Sequence, residues 1–170
     1  MTAGIQLRAA QAQDIDSLAG FLFEHGPNPW NFLPEAEVRE HLAGIAEGRV
    51  QAHLAEEAGR LAGFVTFYRC EGFAEDQDAA RGDLPRAYIC EAVVHRELAG
   101  RGLGSRLLAA VVERLAAQGV GDVFIERHEE NAGSAGMMRK AGFREVRTFD
   151  DPERRATGSR RTTLCHLRVG

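Results

Sequence analysis

Two hydrophobic periods alternate along the chain, and their order sketches an open sheet with helices inserted between strands. Ile5 to Arg8 alternates apolar and polar, predicting a short first strand. Asp14 stands where a helix N-cap belongs, ahead of Ile15, Leu18, Phe21 and Leu22 at helical spacing through about Glu24. A turn-rich stretch, His25 to Asn31, carries Trp30. After Pro34, a second helical face runs through Val38, Leu42 and Ile45 towards Gly48. Val50 to Glu57 and Leu61 to Cys70 alternate as two strands joined around Gly59-Arg60, which predicts a hairpin. Ala87 to Val94 is apolar almost throughout, the pattern of a central strand covered on both faces, and Glu91 interrupts it.

Beyond that strand, Glu97 to Leu108 reads ELAGRGLGSRLL and runs into a helix to about Gln118, with Leu103, Leu107, Leu108, Val111, Val112 and Leu115 as its apolar stripe. Val123 to Glu126 is the next strand. Asn131 caps a short helix, which Gly142 ends in the left-handed conformation. Phe143 to Phe149 and Thr162 to Val169 close the chain as strands. The order predicts a mixed α/β sheet with one strand–helix–strand crossover centred on the glycine loop.

Composition narrows this little further. The 170 residues are 44% hydrophobic, enough for one core and one domain over 1–170. Lys and Arg total 21 against 25 Asp and Glu, a net charge of −4 without the basic excess of a nucleic-acid binder. No stretch is apolar enough for a membrane span or a secretory leader. Cys70, Cys90 and Cys165 are far apart and form no metal-ligand spacing, so reduced thiols, no metal and a cytoplasmic location are expected.

Glycines at every second position cost backbone entropy and ask for a reason. A P-loop would carry Lys-Ser/Thr after its last glycine, but Gly104 is followed by Ser105-Arg106. A dinucleotide fingerprint would place its third glycine at Leu107. What remains is a run of N–H groups entering a helix N-terminus, suited to a pyrophosphate held without metal. A tight turn that is merely glycine-rich is the alternative.

The stretches ICEAVVHRELAGRGLGSRLL (89–108) and NAGSAGMMRKAGF (131–143) resemble the GNAT superfamily of acyl-CoA-dependent N-acetyltransferases. The resemblance implies a single-domain, mixed and mostly antiparallel sheet flanked by about four helices, its parallel strands splayed at an acyl-CoA cleft. It implies transfer of an acetyl group from acetyl-CoA to a primary amine by direct attack. The main chain of Ala92, Val93 and Val94 would pair with the pantetheine arm, and the segment Ala99, Gly100, Arg101, Gly102, Leu103, Gly104 and Ser105 would cradle the pyrophosphate. Asn131, Ser134 and Met138 fall on the family's cofactor-contacting helix. Two positions depart from the pattern. Ala99 replaces a Gln or Arg, and Met138 replaces the tyrosine that often protonates the departing thiolate. Methionine has no proton to give. A non-catalytic acyl-CoA-binding module is therefore the rival reading.

Glu91 and Glu126 are the candidate bases, with an ion pair to arginine the alternative for each. Tyr88, Ser134 or water could stand in for the missing acid. An N–H near Val93 is the expected oxyanion donor. His95 and His128 follow strands and are expected to be exposed loop residues. Alternation sends Cys165 and His166 to opposite faces. Trp30 and Phe32 fall where the family builds its acceptor pocket. The loop of Glu71, Glu75, Asp76, Asp78 and Asp83 against Arg81 and Arg86 is either an acidic rim for a cationic amine or a mobile, solvated loop. The expected partners are the amine acceptor and, at most, a second copy of the chain, with neither nucleic acid nor membrane.

Overall fold

Chain direction and hydrophobic pattern combine into one seven-stranded sheet in a computed structural model that describes residues 4–169. The strands are β1 (Ile5–Ala9), β2 (Gln51–Glu57), β3 (Arg60–Cys70), β4 (Arg86–Val94), β5 (Asp122–His128), β6 (Arg144–Asp150) and β7 (Arg161–Arg168). The helices are α1 (Ile15–His25), α2 (Glu35–Glu47), α3 (Leu103–Ala117) and α4 (Ala132–Lys140). Sheet order is β1-β2-β3-β4-β5-β7-β6, with β4 and β5 the one parallel pair among the described residues.

Local chemistry moves some predicted boundaries. Asp14 does not cap α1 with its side chain; it accepts from Gln11 N–H (2.7 Å) and pairs with Arg8 (2.8 Å), closing a short 3-10 turn ahead of the helix. The first hairpin turns on Ala58 and Gly59, one residue earlier than expected. Both have positive φ (52° and 76°), as a two-residue turn matched to strand twist requires. Gly48 (φ 77°) and Gly142 (φ 98°) end α2 and α4 as predicted.

Each face of the sheet has its own core. On one side α3 buries Leu103, Leu107, Leu108, Val111 and Leu115 against β3, β4 and β5, each side chain contributing about 1.5–3 kcal/mol. On the other, Leu18, Leu22, Val38 and Leu42 of α1 and α2 pack on Leu54, Phe64 and Val93.

The acidic loop is anchored by buried polar contacts, while Glu71, Glu75, Asp78 and Asp83 stay exposed. Buried Asp122 receives Gln77 Nε2 (2.7 Å), Arg81 and His166 Nε2 (2.7 Å), and Arg81 also reaches the carbonyls of Gly121 and Val169. Asp76 pairs with Arg147. These bonds draw residues 71–86 onto the closed end of the β4–β5 pair. Cys165 faces the α3 core and His166 turns to Asp122 on the opposite face, as alternation predicts. The three cysteines are free.

Candidate functional site

A single irregularity in β4 decides what faces the site. β3 and β4 pair Val65 with Ala92 but Phe67 with Ile89, so Cys90 and Glu91 together oppose Thr66. This is a bulge, and the Thr66 hydroxyl fills it by accepting Glu91 N–H (3.0 Å). That same hydroxyl contacts His41 Nε2 (2.8 Å) on α2. Ala87 and Ile89 before the bulge and Ala92 and Val94 after it all pack on the α3 side, while Val93 packs with α1 and α2. Without the extra residue, alternation would drive Glu91 into the α3 core. With it, Glu91 faces a cavity of about 360 Å³ beside Glu37 and His41 of α2.

The cavity exists because two strands part. β4 and β5 pair from Arg86–Asp122 to Ile89–Ile125 and no further, while β5 continues along β7 to His128. The β5-facing edge of β4 is therefore open after Ile89. His95 N–H donates to Ala62 O (2.8 Å). Since both polar groups of every second residue turn to the same neighbour, those of Val93 face β3 and those of Ala92 and Val94 face the open edge. The N–H of Val93 thus faces β3, and that of its neighbour Ala92 faces the open edge. Close approach of β3 makes this geometry possible: a Cβ on Gly63 would lie 2.8 Å from Val93 O.

The glycine loop supplies the second element. Gly100 and Gly102 have φ of 82° and 78°, a conformation costly for any residue with a side chain. Among the described residues, no acceptor takes up the N–H of any residue from Gly100 to Ser105, and the first α-helical bond runs from Arg106 to Gly102 O. Six consecutive donors thus converge at the positive end of α3. Gly104 has a different reason to be glycine: a Cβ there would stand 2.4 Å from Met137 Sδ of α4. Leu103 lends its N–H to the cradle and its side chain to the core. Arg101 and Ala99 are exposed on the loop. Asn131 caps α4 by accepting Ser134 N–H (3.1 Å), and both residues line the cavity. Met138 is buried among core residues and reaches the cavity wall.

Charge on the wall is unevenly matched. Burial pushes the Glu91 carboxyl up to about 7, and no cation forms an ion pair with it among the described residues. Glu126 instead accepts Tyr88 OH (2.8 Å) and both terminal nitrogens of Arg154 (3.2 and 3.4 Å). The arginine alternative considered for both glutamates therefore applies to Glu126. Tyr88 commits its proton to Glu126, and burial holds its phenol well above the ordinary range. Tyr68 also lines the cavity, with its phenol pushed up to about 12 by burial.

Other expectations are corrected. His128 is buried, not exposed. Its Nδ1 accepts Glu130 N–H, so Nε2 donates to Thr157 O (2.7 Å), and Trp30 packs on its ring. His95 is half-buried; it caps the turn before the glycine loop and packs at a tilt on His25, ring centroids 4.0 Å apart. Phe32 lines the cavity, whereas Trp30 packs under it and offers its carbonyl to Arg155.

Sequence reading missed the segment between β6 and β7. Arg154 and Arg155 line the cavity from there, while Thr157 Oγ1 donates to Pro29 O and ties the segment to the α1–α2 linker. A loop with no hydrophobic period carries no signal of where it folds back. No cluster of three or more His, Cys, Asp or Glu suited to a metal occurs among the described residues.

A mycothiol acetyltransferase of Clavibacter michiganensis subsp. michiganensis is 31% identical over 155 residues, covering 86% of this chain but 44% of that protein. The chain thus spans less than half the length of that relative. Arabidopsis thaliana NAA60, solved in complex with acetyl-CoA, superposes with a TM-score of 0.78 at 19% identity, covering 98% of this chain and 99% of that one. The ribosomal-protein-S18-alanine N-acetyltransferase of Escherichia coli gives 0.72 at 15% identity, covering 98% and 95%. The parted parallel strands, the N–H cradle and the capped helix after β5 all fall within residues 15–143, which match the Acetyltransferase (GNAT) family, and the chain belongs to that family.

Proposed function

We propose that the chain transfers an acetyl group from acetyl-CoA to the primary amine of a small molecule or protein, by direct attack with both substrates bound. The observation that carries this reading is the fork of β4 and β5, where an unpaired, buried carboxylate, Glu91, stands beside the open edge of β4. The main-chain groups of Ala92 and Val94 suit an extended pantetheine arm, which would add to β4 like a half-strand. The donors of Gly100 to Ser105 suit its pyrophosphate, with Arg101 adding charge at the rim. Asn131 and Ser134 border the same path. Acetyl-CoA supplies the activated thioester.

Glu91 is the base: near neutral pH its carboxylate accepts a proton from the amine, directly or through one water. The N–H of Ala92 is placed to meet the negative charge that develops on the acyl oxygen. Met138 offers no proton, and the thiolate leaves without one from that position, which a thiol pKa of about 8.5 tolerates.

The test is release of free thiol from acetyl-CoA across a panel of amines. Amine-dependent release is expected. Acetyl-CoA binding with no release for any amine would overturn catalysis in favour of an acyl-CoA-binding module. Gly102→Glu places a side chain at φ 78° and a negative charge in the cradle, and coenzyme A affinity should fall below detection by calorimetry. Retained affinity sinks the cradle.

A further inference from the structure

Three arginines line the cavity, and one of them lacks a counter-charge. Arg127 pairs with Glu145 (2.5 Å) and Arg154 with Glu126 and Asp151. Arg155 is 8% exposed and forms no ion pair among the described residues. Its Nε donates to Thr162 Oγ1 (2.8 Å) and its Nη1 to Trp30 O (3.2 Å), both uncharged oxygens. Thr162 in turn donates to Asp151 Oδ2 (2.6 Å), so the hydroxyl that orients the guanidinium is itself fixed. Nη2 has no partner. Nη2 is not among the sealed, partnerless side-chain nitrogens of the described residues, so it keeps accessible surface, and Arg155 lines the cavity. A buried guanidinium without a counter-ion is costly unless something supplies the anion.

We propose that Arg155 is the carboxylate-recognition residue of the acceptor site, and that the acceptor is a small amino-carboxylic acid whose amine lies at Glu91 and whose carboxylate lies on Arg155. The inference rests on the acetyl-transfer reading for the identity of the cavity. Three observations carry it further. Arg155 and Glu91 line one cavity and sense each other's charge, yet stand too far apart to pair, leaving room for a molecule with opposite charges at its two ends. The guanidinium is held by two bonds with Nη2 left to donate, the pre-organisation that charge-assisted carboxylate binding uses. Glu37 and Glu91 share the wall, so a single negative charge fits where a phosphate dianion would be repelled. Burial and the neighbouring Arg154 charge outweigh the help of Asp151 and Glu126 at the Arg155 cation, and a bound carboxylate would offset them.

The experiment compares α-, β- and γ-amino acids with their carboxamides, read as KM by thiol release and as Kd by calorimetry on the protein saturated with coenzyme A. For the best-fitting length, the acid should bind about 10- to 100-fold more tightly than its amide. Arg155→Gln should bring that ratio towards one, and Arg155→Lys should keep part of it. Equal affinity of the parent protein for acid and amide overturns the proposal, as does a ratio unchanged in Arg155→Gln. Loss of structure in either variant leaves the parent protein's own ratio to decide. Failure of every amine to release thiol counts against acetyl transfer, while the calorimetric ratio still judges the carboxylate site.

Discussion

Glu91 and Glu126 stand on neighbouring strands, line the same cavity and have opposite surroundings. The end of β5 sits under the β6–β7 segment, so Glu126 meets Arg154 and Tyr88 and its oxygens are taken up. The β4 bulge sits under α2, where Thr66 binds the Glu91 backbone and His41, and the carboxylate takes only a weak contact from Cys90 Sγ (4.0 Å). Burial therefore outweighs the more distant Arg155 charge and lifts Glu91 to about 7. Proximity to a cavity does not make a base. What separates the two glutamates is whether the fold supplies a direct ion-pair partner, and here it supplies one to Glu126 on β5 and none to Glu91 on β4 among the described residues.

The largest break in this contrast is Glu91→Gln, expected to lower kcat by about 10²- to 10⁴-fold. The parent protein's kcat/KM should rise with pH through about 7 as Glu91 ionises, a limb the variant lacks. Stability carries the matching sign. The folded-state value lies above the ordinary 4.5, so the contribution of Glu91 is full below about 4.5 and is lost as pH rises through about 7. Relative to the parent, Glu91→Gln should melt higher at pH 8 than at pH 5. A pH profile identical in parent and variant would remove Glu91 from the chemistry.

Arg154→Gln comes next. It takes the cation from Glu126, which is 8% exposed, while Arg154 itself is 38% exposed. The buried-pair cost of several kcal/mol is thus discounted to about 2 kcal/mol. Denaturant unfolding should show that loss while the kinetic limb near 7 survives, since the limb belongs to the other carboxylate. Disappearance of the limb would merge the two glutamates into one coupled unit. The smallest effect is expected from Thr66→Val, which removes the acceptor at the bulge and costs about 1 kcal/mol. Its sharper readout is a shift of the limb as Glu91 loses its fixed position, and a limb unmoved by the change would separate the bulge bond from catalysis.

Much of this molecule was legible residue by residue. The apolar stripe of α3, the αL glycines after α2 and α4 and the Asn131 cap are local facts, governed by contacts within a few residues. The glycine run suggested a backbone N–H cradle because alternating glycines leading into a helix start are a local feature. The site's electrostatics were not legible, since a carboxylate's partner depends on which distant segment folds over it. Arg154 and Arg155 lie in a stretch without periodicity, and His128 is buried only because Thr157 and Trp30 close over it. The acidic loop's contacts were not legible because Asp122 and Arg147, which pair with its Arg81 and Asp76, lie far along the chain.

The sequence by itself determined the element order, the crossover through the glycine loop and the two carboxylates available for chemistry, because these depend on periodicity and residue type. Only the tertiary structure decided which carboxylate is left without a cation and which guanidinium without an anion. Glu91 reaches the cavity through a one-residue bulge that reverses alternation, and Arg155 reaches it through a loop anchored to a carbonyl far along the chain. Both are consequences of long-range packing, where one residue of register or one docking contact changes the face on which a charge appears.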